Sequence, residues 1–210
     1  GCRKMNLKFF WIALFLFTSS EMLKAEGHDA AVAVENFNIA IDLVEKKNFR
    51  DAVVIFSELS KQDFPEAQYN LSILYFNGLG APKNFKLSLY WAWQAHLNNH
   101  EAAGKWMDNI TSNITENLQN SVAQLIVDEF TLAANEGDLL APLKLGRTFL
   151  KLFVQPNNQM AYQWLSIAQA YGDEAASVYL EEAAAQLTLE EILIEQDNAL
   201  KAFNAIIKSN

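Results

Sequence analysis

The chain has 210 residues, of which 51% are hydrophobic and 20% charged, and its formal net charge at pH 7 is −9. A chain of this length can bury a sizeable core without disulfides, and its single cysteine, Cys2, cannot form one within the chain. The acidic balance argues against binding to nucleic acids or to anionic membranes, because both rest on basic patches.

The first 25 residues have the pattern of a secretory signal peptide. Basic side chains near the start are followed by the apolar run 9–17 and by a polar stretch that ends in a small residue, Ala25. That run is too short to cross a bilayer as a helix, which takes roughly 20 residues. We therefore predict cleavage near Ala25, residence in the periplasm or outside the cell, and no membrane insertion of the mature chain. Loss of four basic side chains and Glu21 would change the net charge from −9 to −12.

From residue 29 onward, apolar residues recur at spacings of three and four, which predicts α-helices throughout. The four prolines lie in predicted loops or first helical turns, where a missing N–H is tolerated. Thr188 and Glu191 form a capping box at the start of the last helix. The prediction is an all-α fold of about five antiparallel helix pairs: 29–46 with 49–61, 65–77 with 84–98, 101–111 with 117–135, 139–151 with 157–171, and 174–186 with 189–206.

The chain repeats itself at an interval of 73 or 74 residues. Because one repeat unit cannot bury its apolar face alone, such repetition predicts a stack of helix pairs that offers an extended binding surface. At the interval of 73, Trp91, Ala95, Ala102 and Ala103 return as Trp164, Ala168, Ala175 and Ala176. At the interval of 74, Ala67, Leu71, Tyr75 and Pro82 return as Ala141, Leu145, Phe149 and Pro156.

The repeated positions resemble the Sel-one-like repeat, a relative of the tetratricopeptide repeat. That family has small residues, one leucine, aromatic residues and loop glycines at fixed spacings, which this chain carries as Ala67, Leu71, Tyr75, Gly78, Gly80, Trp91 and Ala95. The resemblance implies a right-handed α-solenoid that forms a single domain over residues 26–210, with the best repeats at 65–99 and 139–173. It also implies a non-enzymatic adaptor for another protein or peptide.

The two copies differ from the family pattern in informative places. Ser72 stands where the family has a glycine, which the second copy keeps as Gly146. Leu152 and Val154 occupy the places of the loop glycines in the second copy. The apolar loop 152–154 therefore either folds inward or forms an interface.

The tryptophans fall into two kinds. Trp91 and Trp164 occupy a repeated packing position, which predicts core residues. Trp93 is off the pattern and is expected to face another way.

Few residues have the arrangement that catalysis or metal binding needs. His96 and His100 lie four residues apart near a helix end, but a catalytic zinc needs three protein ligands and the sequence indicates no third. Cys2 leaves with the signal segment, and no motif supports a serine nucleophile. We expect no enzymatic activity, no cofactor and no metal.

The expected partner is a protein or peptide bound on the concave face, which the first helix of each pair lines. One alternative is a periplasmic enzyme or binder associated with peptidoglycan or the cell wall, which would need convergent polar groups beside an aromatic ring in one pocket. Another is a subunit of an envelope assembly. The oligomeric state stays open. The predicted partner-binding residues are Tyr69, Asn70, Ile73, Phe76 and Asn77 in the first copy and Leu143, Lys144, Arg147, Leu150 and Lys151 in the second.

Overall fold

A computed structural model describes residues 30–209, and every regular element in this range is an α-helix. The predicted signal segment, residues 1–25, lies outside the described residues. None of the described helices is long and apolar enough to cross a membrane. The helices are α1 (30–45), α2 (Phe49–Ser60), α3 (Pro65–Asn77), α4 (Phe85–Leu97), α5 (Ala103–Thr111), α6 (Glu116–Asn135), α7 (Ala141–Lys151), α8 (Asn158–Ala170), α9 (Ala176–Ala184) and α10 (Leu189–Ser209).

Local signals in the sequence account for the helix ends. The side chain of Asn84 accepts a hydrogen bond from the first turn of α4, and Asn157 does the same for α8. Gly78 ends α3 in the left-handed conformation with φ 71°. Asn99 and Gly172 follow α4 and α8 at equivalent places, and both have positive φ. The loops therefore repeat along with the helices.

Helices α2 to α5 pack against one another in chain order, as do α6 to α9, and further contacts join α4 to α6, α7 to α9 and α8 to α10. This arrangement is an α-solenoid of helix pairs, so the prediction of an all-α stack is confirmed. The core has two parts. The smaller part joins α1, α2 and α3, and the larger part runs from α4 to α10.

The three tryptophans discussed above lie at different depths. Trp164 belongs to the large core with 8% of its surface exposed, as predicted. Trp91 is only half-buried and packs against the smaller core. Trp93 is fully buried, because it faces α7 of the second copy, where its indole Nε1 donates to Thr148 Oγ1 at 3.0 Å.

The apolar loop after α7 folds inward. Leu152 is buried, and the Phe153 ring stacks on Phe149 with 5.6 Å between the ring centroids. Two side chains of α6 satisfy the backbone of the loop: Gln119 Nε2 donates to the carbonyl of Leu152 at 2.8 Å, and Asn120 Oδ1 accepts from the amide of Val154 at 3.0 Å. Of the two alternatives for the loop 152–154, inward folding is therefore the one observed.

Candidate functional site

Tyr69 on α3 is held in place by a ring from the next helix pair. Its phenol ring stacks on the imidazole of His100, with centroids 4.2 Å apart and planes 15° from parallel. His100 lies in the connection between α4 and α5, and its backbone amide donates to the carbonyl of Ala95 at 2.9 Å. Tyr69 remains half-exposed, so one part of its ring is available to a partner.

Phe76 continues this row two turns further along α3. Its ring lies 5.0 Å from that of Trp106 on α5 and 5.2 Å from that of Phe85. The indole Nε1 of Trp106 donates to Ser72 Oγ at 2.8 Å, which fixes α5 against α3. We define the α3–α5 face as the half-exposed side chains Tyr69, Ile73, Phe76, His100 and Trp106.

The two predicted asparagines of α3 lie beside this row. The side-chain amide of Asn70 donates to the carbonyl of Glu66 at 2.8 Å, and that of Asn77 donates to the carbonyl of Ile73 at 2.9 Å. These are local contacts within one helix, and Asn77 is exposed. Both side chains are therefore accessible at the border of the α3–α5 face.

Arg147 and Leu150 correct the sequence-based expectation, because both are buried rather than exposed on the concave face. Arg147 is 5% exposed, and its guanidinium donates to the carbonyls of Leu97 and His96, each at 3.1 Å. It also lies 5.3 Å from the centroid of the Tyr179 ring. Since α7 packs against α6, α8 and α9, the exposure seen on α3 does not carry over to its repeat partner.

The other predicted residues of α7 are divided between core and surface. Leu143 packs against the large core. The Lys144 ammonium lies 5.1 Å from the centroid of the Phe130 ring and 3.7 Å from Asp63 Oδ2. Lys151 is exposed and pairs with Glu182. The structure thus brings the α3 residues together on one face and does not place the α7 residues with them.

An open groove borders the α3–α5 face. Its volume is about 690 Å³, and its lining includes Glu66 at the start of α3, His100, Asn98 and Lys105 of α5. Burial lowers the pKa of His100, although the nearby carboxylates of Glu66 and Glu101 oppose this shift. The sequence indicated His100 only as a possible metal ligand near a helix end and did not predict its contact with Tyr69.

The two histidines with metal-ligand spacing have different neighbours. The ring of His96 lies 5.1 Å from Trp93, whereas that of His100 stacks on Tyr69. Within residues 30–209, no three His, Cys, Asp or Glu side chains are grouped so that they could hold a metal ion.

Comparisons with known proteins agree with the architecture. Residues 65–95 and 143–168 match the Sel1 repeat family, whose members carry Sel-one-like repeats. No curated protein sequence matches the chain.

Two solved structures are similar to the chain. One is a protective antigen from uropathogenic Escherichia coli strains with an SLR fold, at 15% identity and a TM-score of 0.32, with 84% of this chain and 46% of that one covered. The other is a Sel1 repeat protein from Oxalobacter formigenes, at 18% identity and a TM-score of 0.30, with 81% of this chain and 88% of that one covered. The chain thus spans less than half the length of the first structure. The chain therefore carries two segments that match the Sel1 repeat, and both lie within its stack of α-helices.

Proposed function

We propose that the protein is an exported, non-enzymatic scaffold that binds a protein or peptide partner through the α3–α5 face. Sel1 repeat proteins generally act in protein–protein interactions. The observation that carries the proposal is the row of half-exposed aromatic rings, Tyr69, Phe76 and Trp106, beside an open groove of about 690 Å³.

The chemistry of this row suits an interface. Tyrosine and tryptophan are enriched among the residues that dominate binding energy, since they combine a large apolar area with a polar atom. Tyr69 is already stacked on His100, and Trp106 is already bonded to Ser72. A partner would therefore lose little affinity to the ordering of these side chains.

In-cell photocrosslinking tests the binding face even while the partner is unidentified. A photoreactive phenylalanine analogue replaces Tyr69 or Ile73 in one set of cells and Val178, an exposed residue of α9, in a control set. We expect a discrete crosslinked protein at positions 69 and 73 and none at 178. Equal adducts at all three positions, or adducts at 178 alone, would contradict the assignment of the face.

Export rests on the order of charged, apolar and polar segments in residues 1–25. Mass spectrometry of the protein from separated cell fractions tests it. We expect a mature form that begins near Glu26 outside the cytoplasm. A soluble cytoplasmic pool that retains residues 9–17 would contradict export while leaving the binding proposal intact.

A further inference from the structure

A small polar pocket lies on a different part of the molecule, between α2, α4 and α6. Its volume is about 210 Å³, and it is lined by Ser60, Asp63, Tyr90, Trp91, Gln94 and Glu129 among others. Since one water molecule takes about 30 Å³ of liquid, the pocket has room for one side chain or a few waters. It is smaller than the range of about 300–1,000 Å³ that is typical of drug-sized ligands.

Two buried side-chain oxygens in this pocket lack hydrogen-bond partners. Ser60 is 1% exposed and Gln94 is 4% exposed. Within the described part of the chain, neither Ser60 Oγ nor Gln94 Oε1 has a partner. Because a buried polar atom without a partner is destabilising, two of them in one pocket point to a ligand that satisfies both.

A chain of hydrogen bonds sets the orientation of Gln94. Its Nε2 donates to the hydroxyl of Tyr90 at 3.0 Å, and that hydroxyl donates to Glu129 Oε2 at 2.8 Å. Burial, followed by the neighbouring Glu129, raises the pKa of Tyr90, so the phenol keeps its proton. The Gln94 amide therefore turns its carbonyl oxygen toward the pocket as a free acceptor. Glu129 Oε1 accepts no hydrogen bond from the residues described, so it is a second free acceptor.

Asp63 brings another carboxylate to the rim in a backbone conformation that is uncommon for residues other than glycine. Its φ is 57°, in the left-handed region. Its Oδ1 accepts hydrogen bonds from Asn98 at 3.1 Å and from Gln68 at 3.3 Å, and its Oδ2 lies 3.7 Å from the Lys144 ammonium. The equivalent residue of the second copy is Gly137, which has the same sign of φ without the steric cost.

The second copy serves as an internal control for these polar residues. There the places of Ser60, Gln68 and Gln94 are taken by Ala134, Pro142 and Ile167, all of them buried. The hollow between α8 and α10 has about 180 Å³ and is lined by apolar residues such as Ile167, Ala199 and Phe203. The repeat fold therefore accommodates apolar residues at these places, and the polar set of the first copy is not a requirement of the stack.

We propose that this pocket binds the guanidinium group of an arginine side chain from a partner protein. The unused groups, Gln94 Oε1, Ser60 Oγ and Glu129 Oε1, can all accept hydrogen bonds, and a guanidinium has five donors and no acceptor. The rings of Tyr90 and Trp91, which meet edge to face at 4.9 Å, add aromatic surface for the planar cation.

A sugar fits this pocket less well, because each sugar hydroxyl both donates and accepts. Most of the side-chain donors that line it are already engaged: Gln68 Nε2 donates to the backbone carbonyl of Ser60 and to Asp63 Oδ1, Gln94 Nε2 to Tyr90, and Lys61 Nζ to Glu58. The donors that remain are the hydroxyl of Ser60 and the indole N–H of Trp91. That the partner is a protein rests on the proposed function. The pocket itself lies outside the α3–α5 face.

The test titrates the purified protein with acetyl-Ala-Arg-Ala-amide and follows the indole signal of Trp91 by NMR. The matched control peptide carries citrulline, which has nearly the same shape without the charge. We expect a saturable shift with arginine and a response at least about tenfold weaker with citrulline, since a charged group strengthens each hydrogen bond. A peptide with lysine in place of arginine is a second control. The proposal is overturned if the arginine peptide gives no saturable shift, or if the citrulline or lysine peptide gives an equal response.

Two variants test whether the arginine side chain binds in this pocket. Ser60→Ala and Gln94→Ile install residues that the second copy carries at the same places, so both should fold, and a melting curve checks this. We expect each to weaken arginine binding about tenfold, and the distant control Gln155→Ala to leave it unchanged. Unchanged binding in both pocket variants overturns the proposal. The crosslinking at positions 69 and 73 is a separate measurement. The arginine pocket and the α3–α5 face can therefore be rejected independently of each other.

Discussion

The indole Nε1 of Trp93 donates a hydrogen bond to Thr148 Oγ1 at 3.0 Å, and this contact joins the first copy of the repeat to the second. Both side chains are fully buried, and the threonine hydroxyl in turn donates to the carbonyl of Lys144 at 2.7 Å. A tryptophan outside the repeat pattern thus links α4 to α7 and connects the two copies through the core.

Thr148→Val should lower the free energy of unfolding by about 1–3 kcal/mol, because the buried indole N–H of Trp93 loses its acceptor while the side-chain volume stays nearly the same. Denaturant unfolding measures the effect. Thr111→Val is the control, since the hydroxyl of Thr111 makes only a local contact with Asp108. A loss for Thr148→Val no larger than that of the control would contradict a structural role for this hydrogen bond.

Gly146→Ala should destabilise the protein by about 1–3 kcal/mol through overpacking. A Cβ at this position would lie 2.3 Å and 2.6 Å from side-chain atoms of Leu165. Gly104 is a helical control, where a Cβ would find its nearest neighbour, His96, at 3.7 Å. Gly104→Ala should be neutral or stabilising by up to about 1 kcal/mol.

A second substitution tests whether overpacking causes the loss of stability in Gly146→Ala. The first copy has Ser72 and Ala92 where the second has Gly146 and Leu165, so bulk on one helix is matched by a small residue on the other. Gly146→Ala in a Leu165→Ala background should therefore cost less than Gly146→Ala alone. Thermal melts of the four proteins measure the coupling, and strict additivity would rule out the steric explanation.

Arg147→Met should destabilise the protein by about 1.5–3 kcal/mol, since the carbonyls of His96 and Leu97 at the end of α4 lose a charged donor. Lys151→Met is the control from the same helix. Its exposed pair with Glu182 is worth about 0–1 kcal/mol. Equal effects in chemical denaturation would show that Arg147 is not the buried link between α4 and α7.

His96 should make stability depend on pH. Burial, with help from the charges of Arg147 and Lys151, lowers its pKa below the ordinary 6.5. Between the two pKa values the unfolded chain binds more protons than the folded one, so stability falls as pH falls from above 6.5 through the folded pKa. His96→Gln should reduce the loss of unfolding free energy between about pH 7.5 and pH 5.5. An identical pH dependence in the variant would exclude this contribution.

Much of the fold could be predicted from the sequence because local signals determine it. The caps at Asn84 and Asn157 and the left-handed glycine at 78 act within a few residues, and the predicted helix boundaries accordingly agree with the observed ones. The repeat interval of 73 or 74 residues likewise required only comparison of the chain with itself. The sequence by itself therefore determined the class of fold and the order and extent of its helices.

The tertiary structure alone decided which side chains are exposed. Tyr69 and Leu143 occupy equivalent places, as do Ile73 and Arg147, yet α3 borders an open groove whereas α7 lies within the stack. The burial of Arg147 depends on carbonyls about 50 residues earlier. The polar pocket at Gln94 likewise combines side chains from separate helices. Such contacts join residues far apart in the chain, so no local pattern of spacing encodes them.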